Sequence, residues 1–130
     1  MVDEASAPDR QRPSEPGGCT LATTWAGRIA VLTATGTVDV LTAPQLIEAV
    51  DALLTESPSA VIVDLTDVDF LASAGMSALI NAHEKVAGSG SFGVVASGSV
   101  TSRPMRLVGL HEVISLYETL DEAMKGAGDE

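Results

Sequence analysis

The apolar run from Ala60 to Leu65 constrains the fold of this chain most strongly. Such a run, interrupted only by Asp64, is typical of a central strand that other elements cover on both faces. Two acidic residues, Asp67 and Asp69, follow it and predict a solvated turn. Ser73 then stands where a helical pattern begins. The chain is therefore expected to carry a serine at the junction between a buried strand and a helix.

The pattern on either side of this junction predicts an α/β fold. Two short strands, Leu21 to Trp25 and Ile29 to Thr35, flank Ala26-Gly27-Arg28 and indicate a hairpin. A helix follows from Thr42, where Thr42-Ala43-Pro44-Gln45 fits a capping box with proline in the first turn. Strands alternating with helices imply parallel strand pairs, and the hairpin makes the sheet mixed, with about four flanking helices. The remaining predicted elements are a helix from Ser73, a strand over Phe92–Ala96, a short helix from Ser102 that Gly109 ends, an edge strand over Val113–Tyr117 and a last helix from Thr119.

Length and composition indicate one domain with short terminal extensions. The 130 residues suit a single domain, and 45% hydrophobic residues suffice for a core. Residues 1–18 are polar and rich in proline and glycine, which predicts a disordered tail. The folded domain is expected over residues 19–126, with 127–130 frayed.

The charge of the chain narrows the kind of partner it could bind. A formal net charge of −11 argues against nucleic acid and against anionic membrane surfaces. A protein partner with a basic face would be attracted, although the same charge also serves solubility. One cysteine and the lack of a signal peptide or apolar span predict a cytoplasmic protein. The chain is expected to be a monomer or a weak dimer.

No pattern in the sequence indicates catalysis, a cofactor or a metal. The stretch Gly88 to Gly93 spells a Gly-x-Gly-x-x-Gly, but it follows a helix and opens a strand, the reverse of a dinucleotide-binding site. His83, His111 and Cys19 lack metal-ligand spacing. Ser73 has no glycine two residues before it, as a nucleophile elbow requires. Ser73 itself has two interpretations, a plain N-cap or an exposed hydroxyl that a kinase could phosphorylate beside the helix dipole.

Three segments of the chain resemble the STAS domain, in particular the bacterial anti-sigma factor antagonists. Gly36-Thr37-Val38-Asp39 with Thr42 is similar to the family's Gly-x-x-Asp-x-x-Thr/Ser segment. Val63-Asp64-Leu65 followed by Phe70 to Met76 is similar to its signature Asp-Ser-Ser/Thr-Gly-Leu. The third segment runs from Arg106-Leu107 to Leu120-Asp121-Glu122-Ala123, so that the likeness covers roughly residues 20–125.

The resemblance implies a regulatory protein and not an enzyme. The unphosphorylated antagonist would bind an anti-sigma factor that is also an ATP-dependent serine kinase, which releases a sigma factor. Phosphorylation of Ser73 would end the binding, and a phosphatase would reset it. The partner-binding residues implied are Asp39, Thr42, Ala72, Ser73, Ala74, Gly75, Met76 and Ser77.

Two positions depart from the family's pattern. Ala72 replaces the usual acid before the serine, and Ala74 replaces the hydroxyl residue after it. These replacements keep a second hypothesis open, a STAS module that senses a small ligand or acts as a scaffold without phosphorylation. Asp39 likewise has a structural alternative, an Asx-type turn.

Overall fold

The computed structural model describes residues 18–128, which form one mixed sheet with helices on both faces. Most of the tail expected over 1–18, and residues 129–130 of the expected frayed end, lie outside the described residues. The last helix includes residues 127 and 128. The strands are β1 (Cys19–Ala26), β2 (Ile29–Val38), β3 (Ala60–Leu71), β4 (Ser91–Val95) and β5 (Ser115–Tyr117). The helices are α1 (Ala43–Leu54), α2 (Ser73–Val86), α3 (Ser102–Leu107), a 3-10 helix (Leu110–Glu112) and α4 (Leu120–Gly128).

The strands lie in the sheet in the order in which they occur in the sequence. β1 pairs antiparallel with β2 through a two-residue turn in which Gly27 has φ 60°, and every later neighbour pair is parallel. Positive φ favours glycine because it has no Cβ to clash with the backbone. The predicted α/β fold with a mixed sheet is therefore confirmed.

β3 is a central strand with helices on both sides. Val61, Val63 and Leu65 join the core formed with α1, α2 and α3, whereas Ile62 faces the opposite side and packs with Ala123 of α4. The side chains alternate because successive residues of a strand point to opposite faces. This two-sided burial is the physical reason for the nearly continuous apolar run.

The solvated turn expected at Asp67 and Asp69 is wrong, because β3 continues through both residues to Leu71. The ten-residue β2 supplies hydrogen-bonding partners as far as the pair Val38–Leu71, with irregularities of register around Gly36. Asp67 and Asp69 are exposed, as acidic residues should be, but they lie on a strand. Backbone pairing with a long neighbour outweighs the low strand propensity of aspartate.

The segment before β5 also differs from the sequence prediction. Gly109 follows α3 with φ 82°, as expected of a glycine that ends a helix. A 3-10 helix then follows, and the Ile114 N–H donates to the Leu110 carbonyl at 2.8 Å. Val113 and Ile114, the first two residues of the expected strand, lie in the turn after this helix, so that β5 begins only at Ser115.

Candidate functional site

The carboxyl ends of β2 and β3 bring the two signature segments of the sequence together. Val38 and Leu71 are partners in the parallel pair, and the Ala72 N–H donates to the Val38 carbonyl at 2.9 Å. The chain leaves both strands at the same edge of the sheet, so the loop containing Asp39 and the start of α2 containing Ser73 are neighbours. We call this part of the surface the Ser73 edge, formed by Asp39, Val40, Leu41, Phe70, Ser73, Met76, Ser77, Val108 and Val113.

Ser73 is the first residue of α2 and not its N-cap. Ala72 holds the N-cap position with extended backbone angles, and its carbonyl accepts from the N–H groups of Gly75 and Met76 at 2.9 and 3.1 Å. Ser73 is exposed, and α2 has no side-chain capping hydrogen bond. The interpretation of Ser73 as a plain N-cap is therefore wrong. This exposed residue lies at the positive end of the helix dipole, where a phosphate is electrostatically favoured.

Gly75 allows the first turn of α2 to approach the strand ends closely. A Cβ on Gly75 would lie 2.7 Å from Val38 Cγ1, 2.7 Å from Leu71 Cδ1 and 2.9 Å from the Val38 carbonyl oxygen. These distances are shorter than van der Waals contact, so only glycine fits without movement of the neighbours. Gly75 thereby fixes the position of Ser73 relative to β2 and β3.

The Asp39 carboxylate organises the loop between β2 and α1. Its Oδ1 accepts hydrogen bonds from the N–H groups of Leu41 at 3.0 Å and Thr42 at 3.1 Å. The side chain therefore forms the Asx-type turn that the sequence allowed as a structural alternative. Asp39 is half-buried, so the same residue also contributes to the surface beside α2.

The capping box predicted at Thr42 is not formed. The Thr42 hydroxyl donates to the Thr37 carbonyl at 2.8 Å and accepts from the Asp39 N–H at 2.9 Å, and it makes no capping bond to α1. Thr42 has helical backbone angles, and the Ala43 N–H donates to the Asp39 carbonyl at 2.8 Å. The buried hydroxyl thus holds the preceding loop instead of the helix that follows.

A groove runs from Ser73 along α2. Its volume is about 310 Å³, and it lies between α2 and the segment that links α3 to β5. Ser73 and Ser77 contribute hydroxyls, and the other lining side chains are apolar. The lining residues are Ser73, Met76, Ser77, Ile80, Val108, Gly109, Leu110 and Val113.

Several exposed apolar side chains lie at the same end of the sheet as Ser73. Val40 and Leu41 are 71% and 79% exposed on the Asp39 loop, and Val108 is 64% exposed at the groove. Phe70 is 55% exposed at the end of β3. Clusters of large exposed apolar groups on a small protein usually mark a binding surface.

The sequence indicated part of this site and missed part of it. Six of the eight predicted partner-binding residues are at least partly exposed, namely Asp39, Ala72, Ser73, Ala74, Met76 and Ser77. Thr42 and Gly75 are buried, and they contribute by holding the exposed residues in position. The opposite wall of the groove, with Val108 and Val113, was not foreseen. Its only signal in the sequence is the apolar pair Leu107-Val108 just before a glycine that ends a helix.

The only cysteine, Cys19, lies on β1 at this end of the sheet. Burial raises the pKa of the Cys19 thiol, a hydrogen bond from the Thr35 backbone acts in the opposite direction, and the Asp39 charge raises it further. The thiol therefore stays protonated and weakly reactive at neutral pH. Within residues 18–128, no His, Cys, Asp and Glu residues are grouped to hold a metal ion. No helix in that range is long and apolar enough to cross a membrane.

Comparison with known proteins identifies the family of this chain. The sequence profile of the STAS domain matches residues 21–123, and the chain belongs to the STAS domain family. It is 40% identical over 113 residues to the anti-sigma-F factor antagonist RsfB of Mycobacterium tuberculosis, which covers 87% of this chain and 93% of the relative.

Solved structures agree with this assignment. The crystal structure of an anti-sigma factor antagonist from Mycobacterium paratuberculosis superimposes with a TM-score of 0.83 at 37% identity, over 88% of this chain and 98% of that one. The phosphorylated form of the Bacillus cell fate determinant SpoIIAA superimposes with a TM-score of 0.62 at 15% identity, over 82% of this chain and 97% of that one. The second likeness concerns the fold alone.

Proposed function

We propose that this protein is a cytoplasmic anti-sigma factor antagonist that is switched off by phosphorylation of Ser73. In its unphosphorylated form it binds an anti-sigma factor that is also an ATP-dependent serine kinase, and this binding releases a sigma factor. A phosphatase restores the active form. The chain is a binding partner and a kinase substrate, without catalysis of its own. The observation that carries the proposal is the exposed Ser73 at the first residue of α2, beside a groove whose other lining residues are mostly apolar.

The Ser73 edge offers the features of a protein-binding surface. Interfaces have an apolar centre, and the anchoring side chains of a partner usually fill pockets there. Val40, Leu41 and Val108 supply exposed apolar area, and the groove beside Ser73 supplies a pocket. The net charge of −11 would attract a partner whose matching face is basic. The 40% identity to RsfB favours an anti-sigma factor as that partner.

A phosphate at Ser73 would switch binding without refolding the protein. It would add about −1.5 to −2 charges at neutral pH. The positive end of α2 favours that charge, so the fold should accept it. Burying the same charge in an apolar interface without a matching cation would cost several kcal/mol. A tenfold loss of affinity needs only about 1.4 kcal/mol, so this penalty suffices.

The other residues of the site have supporting roles in this proposal. Asp39 and Thr42 hold the loop that presents Val40 and Leu41. Gly75 sets the position of Ser73. Ala72, Ala74, Met76 and Ser77 belong to the contact surface. Ala72 in place of an acid also removes a negative neighbour that would repel the phosphate.

Titration calorimetry against the anti-sigma partner tests the proposal. Ser73→Asp should fold, because an acid at a helix start is stabilising by about 0.3–1 kcal/mol, yet it should bind at least about tenfold more weakly. Ser73→Ala should bind like the original protein and should resist phosphorylation by the partner with ATP. Ser89→Asp, which adds the same charge beyond the other end of α2, is the matched control and should bind normally. Equal affinity of all these forms would show that charge at Ser73 is not the switch.

The groove supports a second candidate, a STAS module that senses a small ligand. Its volume of about 310 Å³ and its apolar lining would suit a small, mostly apolar molecule. Replacement of the acid and hydroxyl neighbours by Ala72 and Ala74 favours regulation of this kind. Two results together would favour the second candidate. The Ser73 variants would bind the anti-sigma partner equally well, and a small ligand would raise the Tm of the original protein but not that of Ile80→Trp.

A further inference from the structure

The outer edge of β1 presents backbone groups that the described sheet does not use. The Thr37 N–H donates to the Gly18 carbonyl at 2.9 Å, which identifies Gly18 and Thr37 as a hydrogen-bonded pair of the antiparallel ladder. Hydrogen-bonded and non-hydrogen-bonded pairs alternate along such a ladder. The residues whose N–H and C=O groups therefore point away from β2 are Cys19, Leu21, Thr23 and Trp25.

Within residues 18–128, this edge lacks the usual protection against pairing with another strand. Natural edge strands carry charged residues, prolines or bulges, or they are very short. β1 is eight residues long, with the sequence Cys-Thr-Leu-Ala-Thr-Thr-Trp-Ala, and it contains no charge and no proline. Its pairing with β2 is regular over all eight residues. The edge is thus an uncharged strip on a chain whose net charge is −11.

Charged residues of opposite sign lie beyond the two ends of β1. Arg28 is exposed in the hairpin turn that follows the strand, where its guanidinium donates to the carbonyls of Glu56 and Ser57. At the other end, Cys19 pairs with Gly36, close to the Asp39 loop and to the exposed Asp67 on β3. A second strand laid antiparallel along this edge would need an acidic end opposite Arg28 and a basic end opposite Asp39 and Asp67. A second copy of this chain has that distribution of charge, with Arg28 beyond one end of its β1 and Asp39 and Asp67 near the other.

We propose that two copies of this protein associate by antiparallel pairing of their β1 strands about a two-fold axis. The pairing that uses all four outward-facing residues places Cys19 opposite Trp25 and Leu21 opposite Thr23, with the axis at Ala22. Each pair exchanges two hydrogen bonds, and the two five-stranded sheets become continuous. Such an interface is isologous, so that each contact occurs twice. The proposal is independent of the partner and of the phosphorylation switch.

Side chains on both faces of β1 fit this register. Trp25, 39% exposed, would cover the half-buried Cys19 of the second copy on one face of the sheet. On the other face, Thr24 would meet Thr20, and threonine pairs across strands are favourable. Arg28 would lie at the same end of the paired strands as Asp39 of the second copy, which offsets part of the repulsion between two acidic chains. No charged group of residues 19–26 would have to be buried.

Sedimentation velocity of the full chain, from low micromolar to millimolar concentration, gives the first test. We expect a reversible monomer–dimer equilibrium that Thr23→Pro weakens by about tenfold or more, because an outward-facing N–H is lost from each copy. Thr23→Ala removes the same hydroxyl, keeps the N–H and should dimerise normally. A monomer at every concentration, or an unchanged dimer in Thr23→Pro, would overturn the proposal.

Cross-linking gives a second test that does not depend on how Thr23→Pro folds. In a Cys19→Ser background, Ala22→Cys places the two new thiols at the axis, with Cα atoms about 4.5 Å apart in a non-hydrogen-bonded pair. A disulfide accepts that separation. Thr24→Cys is the control, since it would face Thr20 of the second copy and not another cysteine. We expect mild oxidation to link only Ala22→Cys, whereas equal yields from both variants would reject this register.

A strand from residues 1–17 of the same chain would be a different occupant of the edge. It would leave the full chain monomeric, and deletion of residues 1–17 would then produce a dimer. Hydrogen exchange at the Leu21 and Thr23 amides distinguishes the two cases. Protection that increases with protein concentration supports the dimer, and protection independent of concentration contradicts it.

Discussion

Replacement of Gly75 by alanine tests how closely α2 must approach the strands to present Ser73. The new Cβ would lie 2.7 Å from Val38 Cγ1 and 2.9 Å from the Val38 carbonyl oxygen. The Leu71 methyl, also at 2.7 Å, can rotate away, but the Val38 side chain is stiff and its carbonyl already accepts the Ala72 N–H. The first turn of α2 must therefore move away from the sheet.

The expected loss of stability is the difference between two opposing effects. Overpacking of a buried site typically costs about 1–3 kcal/mol. Alanine is favoured over glycine within a helix by about 0.8–1.0 kcal/mol, and less than this at the first turn. The net destabilisation should be roughly 1–2 kcal/mol, and Tm should fall by roughly 4–12 °C for a domain of this size.

Thermal unfolding and urea titration, followed by circular dichroism, measure this change. Gly88→Ala is the matched control, because nothing lies within 4 Å of a Cβ built there and its φ is not positive. It should leave the free energy of unfolding nearly unchanged. Gly75→Ala should also weaken partner binding, since Ser73 lies in the turn that moves. If Gly75→Ala is as stable as Gly88→Ala, the close approach of α2 to β2 does not constrain the site.

Further substitutions, at Asp39 and at Ser57, address two loops at opposite ends of the sheet. Asp39→Asn keeps an acceptor oxygen for the Leu41 and Thr42 N–H groups, so it should fold nearly as well as the original protein. It should nevertheless bind the partner more weakly, because it has lost the negative charge. Asp39→Ala loses the acceptor as well and should be less stable by about 0.5–2 kcal/mol. Normal binding by an unstable Asp39→Asn would assign the residue a purely structural role. Ser57→Gly should raise the free energy of unfolding by about 0.5–1 kcal/mol, because Ser57 has φ 55°, a conformation that glycine adopts without strain. Glu56→Gly, one residue earlier in the turn, is the control and should lower the free energy of unfolding measured by urea titration. A loss of stability in both variants would show that the positive φ of Ser57 does not destabilise the protein.

The sequence alone determined the order of the elements and the position of the serine. Hydrophobic periodicity is a local property, and it marked the hairpin, the buried strand from Ala60 and the helix from Ser73. The end of α3 could also be predicted from Gly109, because the positive φ that ends many helices favours glycine. These features follow from interactions within a few residues or from burial on both faces of a strand.

Only the tertiary structure decided how the site is built. β3 continues through Asp67 and Asp69 because β2 offers backbone partners that no local pattern reveals. The Thr42 hydroxyl turns back to the Thr37 carbonyl because the Asp39 loop folds over it, so that a good capping sequence forms no cap. The groove beside Ser73 needs Val108 and Val113 from a distant segment. In each case competing hydrogen bonds or contacts from residues far apart in the sequence set the outcome, and those contacts exist only once the sheet has formed.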